Sequence, residues 1–313
     1  MGTLSASAQK RTVKKHHHAT VNPDSVKGAG YYFDAAGAKV NAGDCVAAIE
    51  LYDKCISIDP ETPDAYYNRA ICKMQLQDNE AAIEDFTSAI RLDPKMFGNA
   101  LYLRGTCFNS VKKYDLAITD FTKALEVSST ADIYASRGFA YMQQGDFANA
   151  LSDYNNAIVR NGLNTDWYGQ RAICQYRTHH LKDAIEDAKK FLAQKPNSPE
   201  VVEMKLRAEI ETQNYNDALK TAQNLISIQK SPKAYYYKGM IEYGQGKYMD
   251  GVSDFTSSID LDTAYKDAYY SRALCYVSLK DDANACKDLK KARQLGFPGL
   301  DSKIDSYCKK PKQ

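Results

Sequence analysis

Apolar residues recur along the chain at helical spacings of three, four and seven, and the same apolar and polar pattern returns about every 34 residues. Aligned on a small residue, the copies fall at Ala48, Ala82, Ala117, Ala150, Ala184, Ala218, Gly251 and Ala285, separated by 34, 35, 33, 34, 34, 33 and 34 residues. A fixed period of this length marks an array of eight supersecondary units, each too small to bury its own apolar face.

Within each unit a second small residue lies twelve positions earlier, at Ala36, Ala70, Gly105, Gly138, Ala172, Gly239 and Ala273, with Leu206 as the exception. A mostly aromatic position precedes that residue by four: Tyr32, Tyr66, Leu101, Tyr134, Tyr168, Val202, Tyr235 and Tyr269. After the aligning residue come Tyr52, Phe86, Phe121, Tyr154, Ala188, Ala222, Phe255 and Leu289 at plus four. Turn-forming pairs such as Gly43-Asp44, Gln77-Asp78, Gly145-Asp146 and Gly246-Lys247 divide the unit into helix A and helix B. Asp59-Pro60, Asp93-Pro94 and Pro196 end helix B, because proline cannot continue the backbone ladder. In the fifth and sixth units the large residue moves three positions on, to Phe191 and Leu225, which keeps core volume and predicts altered curvature there.

The stretches Ala65-Tyr66-Tyr67-Asn68-Arg69-Ala70 and Ile90-Arg91-Leu92-Asp93-Pro94 resemble the tetratricopeptide repeat family, and the resemblance runs over roughly residues 29–298. It implies an all-α, right-handed α-solenoid of about eight helix-turn-helix repeats, with helix A of each lining a concave groove. The expected organisation is a basic arm at 1–28, the array at 29–298 and a C-terminal capping helix with tail at 299–313, the cap carried by Leu300, Ile304 and Tyr307. On this frame the second, fifth, sixth, ninth, twelfth and thirteenth positions of helix A face a partner. They name Tyr67, Asn68, Tyr102, Asn109, Phe139 and Gln143 in the first half, and Tyr176, Arg177, Arg207, Tyr236, Tyr237, Tyr243 and Tyr270 in the second. Tyrosine gives such a face a large apolar area, little rotamer entropy and a hydrogen-bonding tip. The family's carboxylate clamp finds only Asn68 among Phe33, Gly37, Asn68, Asn99 and Leu103, so capture of chaperone C-termini is not expected.

Charge refines this picture. The seventh helix A position reads Ala35, Arg69, Arg104, Arg137, Arg171, Lys205, Lys238 and Arg272. Sixteen residues on stand Leu51, Asp85, Asp120, Asp153, Asp187, Thr221, Asp254 and Asp288. The basic column therefore reads as half of a structural ion-pair ladder, within or between repeats, in which only the sixth unit keeps the base without the acid.

Length, composition and charge exclude several classes. The 313 residues are 44% hydrophobic and carry a net charge of only +2, too neutral for nucleic-acid binding driven by phosphate neutralisation. No apolar run reaches the roughly 18 residues of a membrane span. Lys10, Arg11, Lys14, Lys15 and His16 to His18 form a basic arm, and three adjacent histidines lack the spacing of a built metal site. Ala6-Ser7-Ala8 has the form of a signal-peptidase site, which favours a periplasmic or otherwise exported location over a cytoplasmic one. Of eight cysteines, Cys72, Cys107, Cys174 and Cys275 share one small core position; Cys45, Cys286 and Cys308 are less constrained and open to reaction, and no disulfide framework is expected. His179 and His180 fall in a turn, no phosphate loop is present, and neither catalysis nor a cofactor is expected. The function expected is a scaffold holding a protein or peptide; the alternative is a carrier or sensor of a small ligand or glycan.

Overall fold

The computed structural model describes residues 27–94 and 97–308. The readings made on the basic arm, its Ala6-Ser7-Ala8 segment and its three histidines lie outside the described residues. The described residues form helices and turns without strands, in two compact units divided in sequence between Leu92 and Asp93. The first holds α1 (Ala29–Asn41), α2 (Cys45–Ile58), α3 (Pro63–Gln75) and α4 (Asn79–Leu92). The second holds α5 (Phe97–Ser110), α6 (Tyr114–Val127), α7 (Ala131–Gln144), α8 (Phe147–Arg160), α9 (Thr165–Arg177), α10 (Leu181–Gln194), α11 (Pro199–Glu211), α12 (Tyr215–Ile228), α13 (Pro232–Gly244), α14 (Tyr248–Leu261), α15 (Lys266–Ser278), α16 (Asp282–Gln294) and α17 (Asp301–Tyr307). Odd-numbered helices from α1 to α15 are helix A and even-numbered ones from α2 to α16 are helix B. This is the all-α, helix-hairpin solenoid class.

One local device makes every hairpin turn. The residue at position 15 adopts left-handed backbone at Gly43, Gln77, Lys112, Gly145, His179, Gln213, Gly246 and Lys280. The next amide then donates back to a helix A carbonyl, as from Asp44 N to Lys39 O at 3.0 Å and from His180 N to Gln175 O at 2.8 Å. Where that next residue is Asp44, Asp146 or Asp281, its carboxylate accepts from the backbone N–H three residues on and caps helix B. His179 is thus a backbone turn residue, as expected.

Helices A and B approach closely because the small columns leave room for rings. A Cβ added to Gly105 would lie 2.8 Å from the Phe121 ring, and one on Gly239 would lie 2.9 Å from Phe255. In the fifth repeat Phe191 sits one turn later, and the residue that yields is now Gly169, whose added Cβ would lie 2.7 Å from that ring. The size exchange is therefore a relocated ring-on-glycine contact. Gly169→Ala is expected to destabilise the second unit by about 1–3 kcal/mol through overpacking, visible as a lowered urea midpoint. An unchanged midpoint would show that Phe191 swings aside freely.

After the last repeat, Leu300 and Ile304 pack with Ala273, Leu289 and Ala292, so α17 covers the end of the eighth hairpin. Its attachment corrects the cysteine reading: Cys286 on α16 and Cys308 beside α17 form a disulfide closing a 22-residue separation. Both ends lie in the one region where a helix returns onto its predecessor outside the repeat geometry. Cys45 is a second correction. It is buried, and its Sγ donates to Gln75 Oε1 at 2.8 Å, so its turn position does not leave it open to reaction.

Candidate functional site

The basic column is resolved into a ladder that works both within and between repeats. Arg69 presents Nε and Nη2 to the two oxygens of Asp85 at 2.8 and 2.6 Å, and its Nη1 reaches back to Asp53 of the preceding repeat at 2.5 Å. Arg137, Arg171 and Arg272 repeat this fork on Asp153, Asp187 and Asp288, with Nη1 on Thr122, Asn155 and Thr256 respectively. Arg104 forks on Asp120 at 2.7 and 2.8 Å. The planar guanidinium suits the task because one edge satisfies a carboxylate bidentately while the remaining nitrogen ties the neighbouring hairpin.

Where the column carries lysine, the geometry changes. Lys205 finds an acid after all, on its own helix: Nζ donates to Glu209 Oε1 at 2.5 Å and to Thr221 Oγ1 at 2.7 Å. Lys238 donates to Asp254 Oδ2 at 2.5 Å and to Glu242 Oε1 at 3.1 Å. Burial, then a hydrogen bond with Asp254, pushes the Glu242 carboxyl up to about 7. The signal was present in the sequence: glutamate follows four residues after the column residue only where that residue is lysine.

The face named for binding divides into rings that support the core and groups that remain outside. In the first unit Tyr67 packs against Phe86 at 5.8 Å, and the Asn68 side chain hydrogen-bonds the buried Tyr52. In the second, Tyr102 packs on Phe121 at 6.1 Å and hydrogen-bonds Ser136, while Asn109 Nδ2 donates to the Ser136 carbonyl at 3.1 Å. Tyr236 packs on Phe255 at 5.7 Å and on Tyr265 at 5.3 Å. Tyr270 stacks on Phe297 at 4.3 Å and Tyr243 meets Tyr248 at 5.6 Å. The fifth-position rings thus share their area between the repeat core and the surface, which composition alone could not apportion.

Outside stand Phe139, 39% exposed, with Gln143, Arg177 and Arg207. Successive A helices touch from α5 to α11, and α13 touches α15. Tyr176 donates to Glu211 Oε1 at 2.5 Å beneath the Arg207 guanidinium, and Tyr237 donates to Glu203 at 3.2 Å. Sequence reasoning missed Glu203, Glu211 and Tyr265, which complete these contacts. Two shallow concavities lie elsewhere, at the hairpin turns around Lys112–Leu116 with Gln144 and around Gly246–Asp250 with Leu279. Among the described residues no group of three or more His, Cys, Asp and Glu is placed to hold a metal ion, and no helix is long and apolar enough to cross a membrane.

Comparison with known proteins bears on these features. Family models described as tetratricopeptide repeat match residues 63–96, 98–130, 136–199 and 266–295. A TPR repeat-containing protein of Methanocaldococcus jannaschii is 24% identical over 226 residues, covering 69% of this chain and 34% of that protein. The Hsp70-Hsp90 organizing protein of Triticum aestivum is 25% identical over 227 residues, covering 61% of this chain and 39% of that protein. The chain thus spans 34% to 39% of the length of these relatives. A crystal structure of a tetratricopeptide repeat protein from Parabacteroides merdae superimposes with a TM-score of 0.52 at 15% identity, over 79% of this chain and 98% of that one, a likeness of fold.

Proposed function

The chain belongs to the tetratricopeptide repeat family, and from that premise we propose that it is a non-enzymatic scaffold that binds a peptide or partner helix on the helix A face of its second unit. The observation that carries this reading is a set of apolar residues at recurring helix A positions of α7, α9, α11 and α13: Phe139 is exposed, and Met142, Ile173, Ile210, Met240 and Tyr243 are part-buried against the repeat cores. Thioether and aromatic side chains of this kind adapt to a partner's apolar residues, and helix-in-groove recognition uses such anchors at helical spacing. The similarity to a protein named Hsp70-Hsp90 organizing protein supports assembly of proteins as the broad role. The alternative, a small ligand or glycan held among the tyrosines, asks for a concave pocket on this face.

Because Tyr102 supports Phe121, truncating it would confound binding with folding. Phe139 is the cleaner probe. Phe139→Glu is expected to weaken the complex at least about tenfold, as loss of an interface anchor does, with little change in melting temperature. The measurement is affinity capture of the partner from native extract, followed by titration of the recovered partner against both proteins. Equal affinity for the two would overturn the placement of the binding face.

A further inference from the structure

The ion-pair ladder is not uniform along the array, and its exceptions fall together. Five residues after the aligning small residue, helix B carries the side chain that meets the following repeat's arginine, at Asp53, Thr122, Asn155 and Thr256. In sequence that position is Asp, Thr or Asn before every arginine of the column. Before Lys205 and Lys238 it is Lys189 and Gln223.

The choice of base follows from the geometry. A guanidinium forked on its carboxylate still has a nitrogen for the neighbouring hairpin. Lys205 gives its protons to Glu209 and Thr221, and Lys238 to Asp254 and Glu242, all within one hairpin. Lys189 repels a cation rather than receiving one, and it pairs with Glu186 on its own helix at 2.7 Å. Ties of this kind staple the third repeat to the fourth, the fourth to the fifth and the seventh to the eighth. Among the described residues they have no counterpart on either side of the sixth.

Packing divides in the same way. Leu206 stands where the other helix A copies carry Ala or Gly, and the backbones of α11 and α12 run close over a shorter stretch than those of any other hairpin. The junctions α10–α11 and α12–α13 are likewise shorter than α6–α7, α8–α9 and α14–α15. Polar bonds to the neighbouring repeats have moved to the helix A face. Tyr176 donates to Glu211 at 2.5 Å on one side, and Tyr237 and Lys233 donate to Glu203 at 3.2 and 2.5 Å on the other. Apolar contact carries the rest: Val201 and Met204 share a cluster with Phe191, and Ala234 and Ile241 share one with Leu206 and Leu225. Such contact is non-directional and permits small sliding motions, which a forked arginine tied to two hairpins resists.

We propose that the sixth repeat is the hinge of the second unit, where the fifth and seventh repeats change their relative tilt while every hairpin stays folded. The bonds at Glu211 and Glu203 form the pivot edge on the helix A face, and the untied helix B side opens and closes. Bending there changes the curvature of the helix A face at one place and leaves the third to fifth repeats as a stapled block. The hinge is independent of what that face binds.

Pulsed dipolar electron spin resonance on the full chain tests it. Glu126, Ala193 and Asp260 occupy equivalent exposed positions on helix B of the third, fifth and seventh repeats, and the free native cysteines are buried. One nitroxide pair, through Glu126→Cys with Ala193→Cys, spans the stapled fourth repeat. The other, through Ala193→Cys with Asp260→Cys, spans the sixth. The second pair is expected to give a distance distribution at least about twice as wide as the first, as motion of whole hairpins requires. Gln223→Thr with Lys238→Arg recreates the pairing of Thr256 with Arg272 at one of the two open junctions, and should remove roughly half of the excess width. Hydrogen exchange should leave α11 and α12 as protected as α9 and α10, since a hinge keeps its hairpins folded. Equal widths for the two pairs would overturn the hinge. Loss of protection in α11 and α12 would overturn it by showing local unfolding, and an excess width untouched by the double variant would overturn the missing ties as its cause.

Discussion

Asp120→Lys is expected to unfold the third repeat, with a loss of about 3–5 kcal/mol or more, the usual cost of leaving a buried charge without its partner. Asp120 is 3% exposed and both of its oxygens accept from Arg104, at 2.7 and 2.8 Å. Lysine there would place two cations in one buried slot, which desolvation and repulsion both oppose. Neither helix can move away alone, because Phe121, the neighbouring residue on α6, fills the space over Gly105. The effect should be local at first, since repeats depend on their nearest neighbours. Hydrogen exchange would show amides of α5 and α6 losing protection before the rest, and the urea midpoint would fall. A double variant, Arg104→Met with Asp120→Leu, removes both charges and should recover most of the stability, since apolar replacement of a buried pair is commonly near neutral. Stability unchanged in Asp120→Lys would mean that the ladder is ornamental to folding, and the basic column would return as a binding stripe.

The ladder also shows what could be read from one sequence. Repetition made the fold legible: a residue type that recurs in one place in most copies reports a constraint of the hairpin, so small positions, ring positions and the Arg–Asp pairing were recoverable by alignment of the chain with itself. Features that occur once were not. The Cys286–Cys308 link joins the last hairpin to a helix outside the period, and nothing repeats to suggest it. The partner of Lys205 was sought sixteen residues on, where Thr221 stands; Glu209, one helical turn away, supplies the charge. Site residues suffered from the opposite problem. Tyrosine at the fifth position looks alike at Tyr67, Tyr102, Tyr236 and Tyr270, but the ring leans on Phe86, Phe121 or Phe255 in the first three, so exposure depends on a neighbour that the position alone does not disclose. Gly169 and Phe191 could have been paired from the sequence, since the displaced ring and the glycine beneath it occur in the same repeat.

The largest pH effect is expected in the seventh repeat, where two carboxylates face one ammonium. Glu242 is 6% exposed; Lys238 of its own helix and Asp254 of α14 are its charged neighbours, and the buried thiol of Cys275 on α15 is the other titratable group bearing on it. Burial and then the hydrogen bond with Asp254 raise the Glu242 pKa from 4.5 to about 7, against the pull of Lys238. A carboxyl with a raised folded pKa takes up a proton on folding. Its contribution is therefore most favourable below the unfolded value, weakens as pH rises from 4.5 to about 7, and is flat above. Glu242→Gln keeps an oxygen for Lys238 and gives Asp254 a permanent donor, so at pH 8.5 the variant should be more stable by about 2–3 kcal/mol, with the difference vanishing toward pH 4.5. Urea titrations of both proteins across that range measure the difference directly. The sixth repeat supplies the opposing case. Lys205 has Glu209 as its carboxylate and Thr221 as its other partner, so Glu209→Gln removes a needed charge and should lower stability at neutral pH. Equal and pH-independent effects of the two substitutions would show that the second acid of the seventh repeat is balanced by solvent or by a neighbour, and that no proton is shared there.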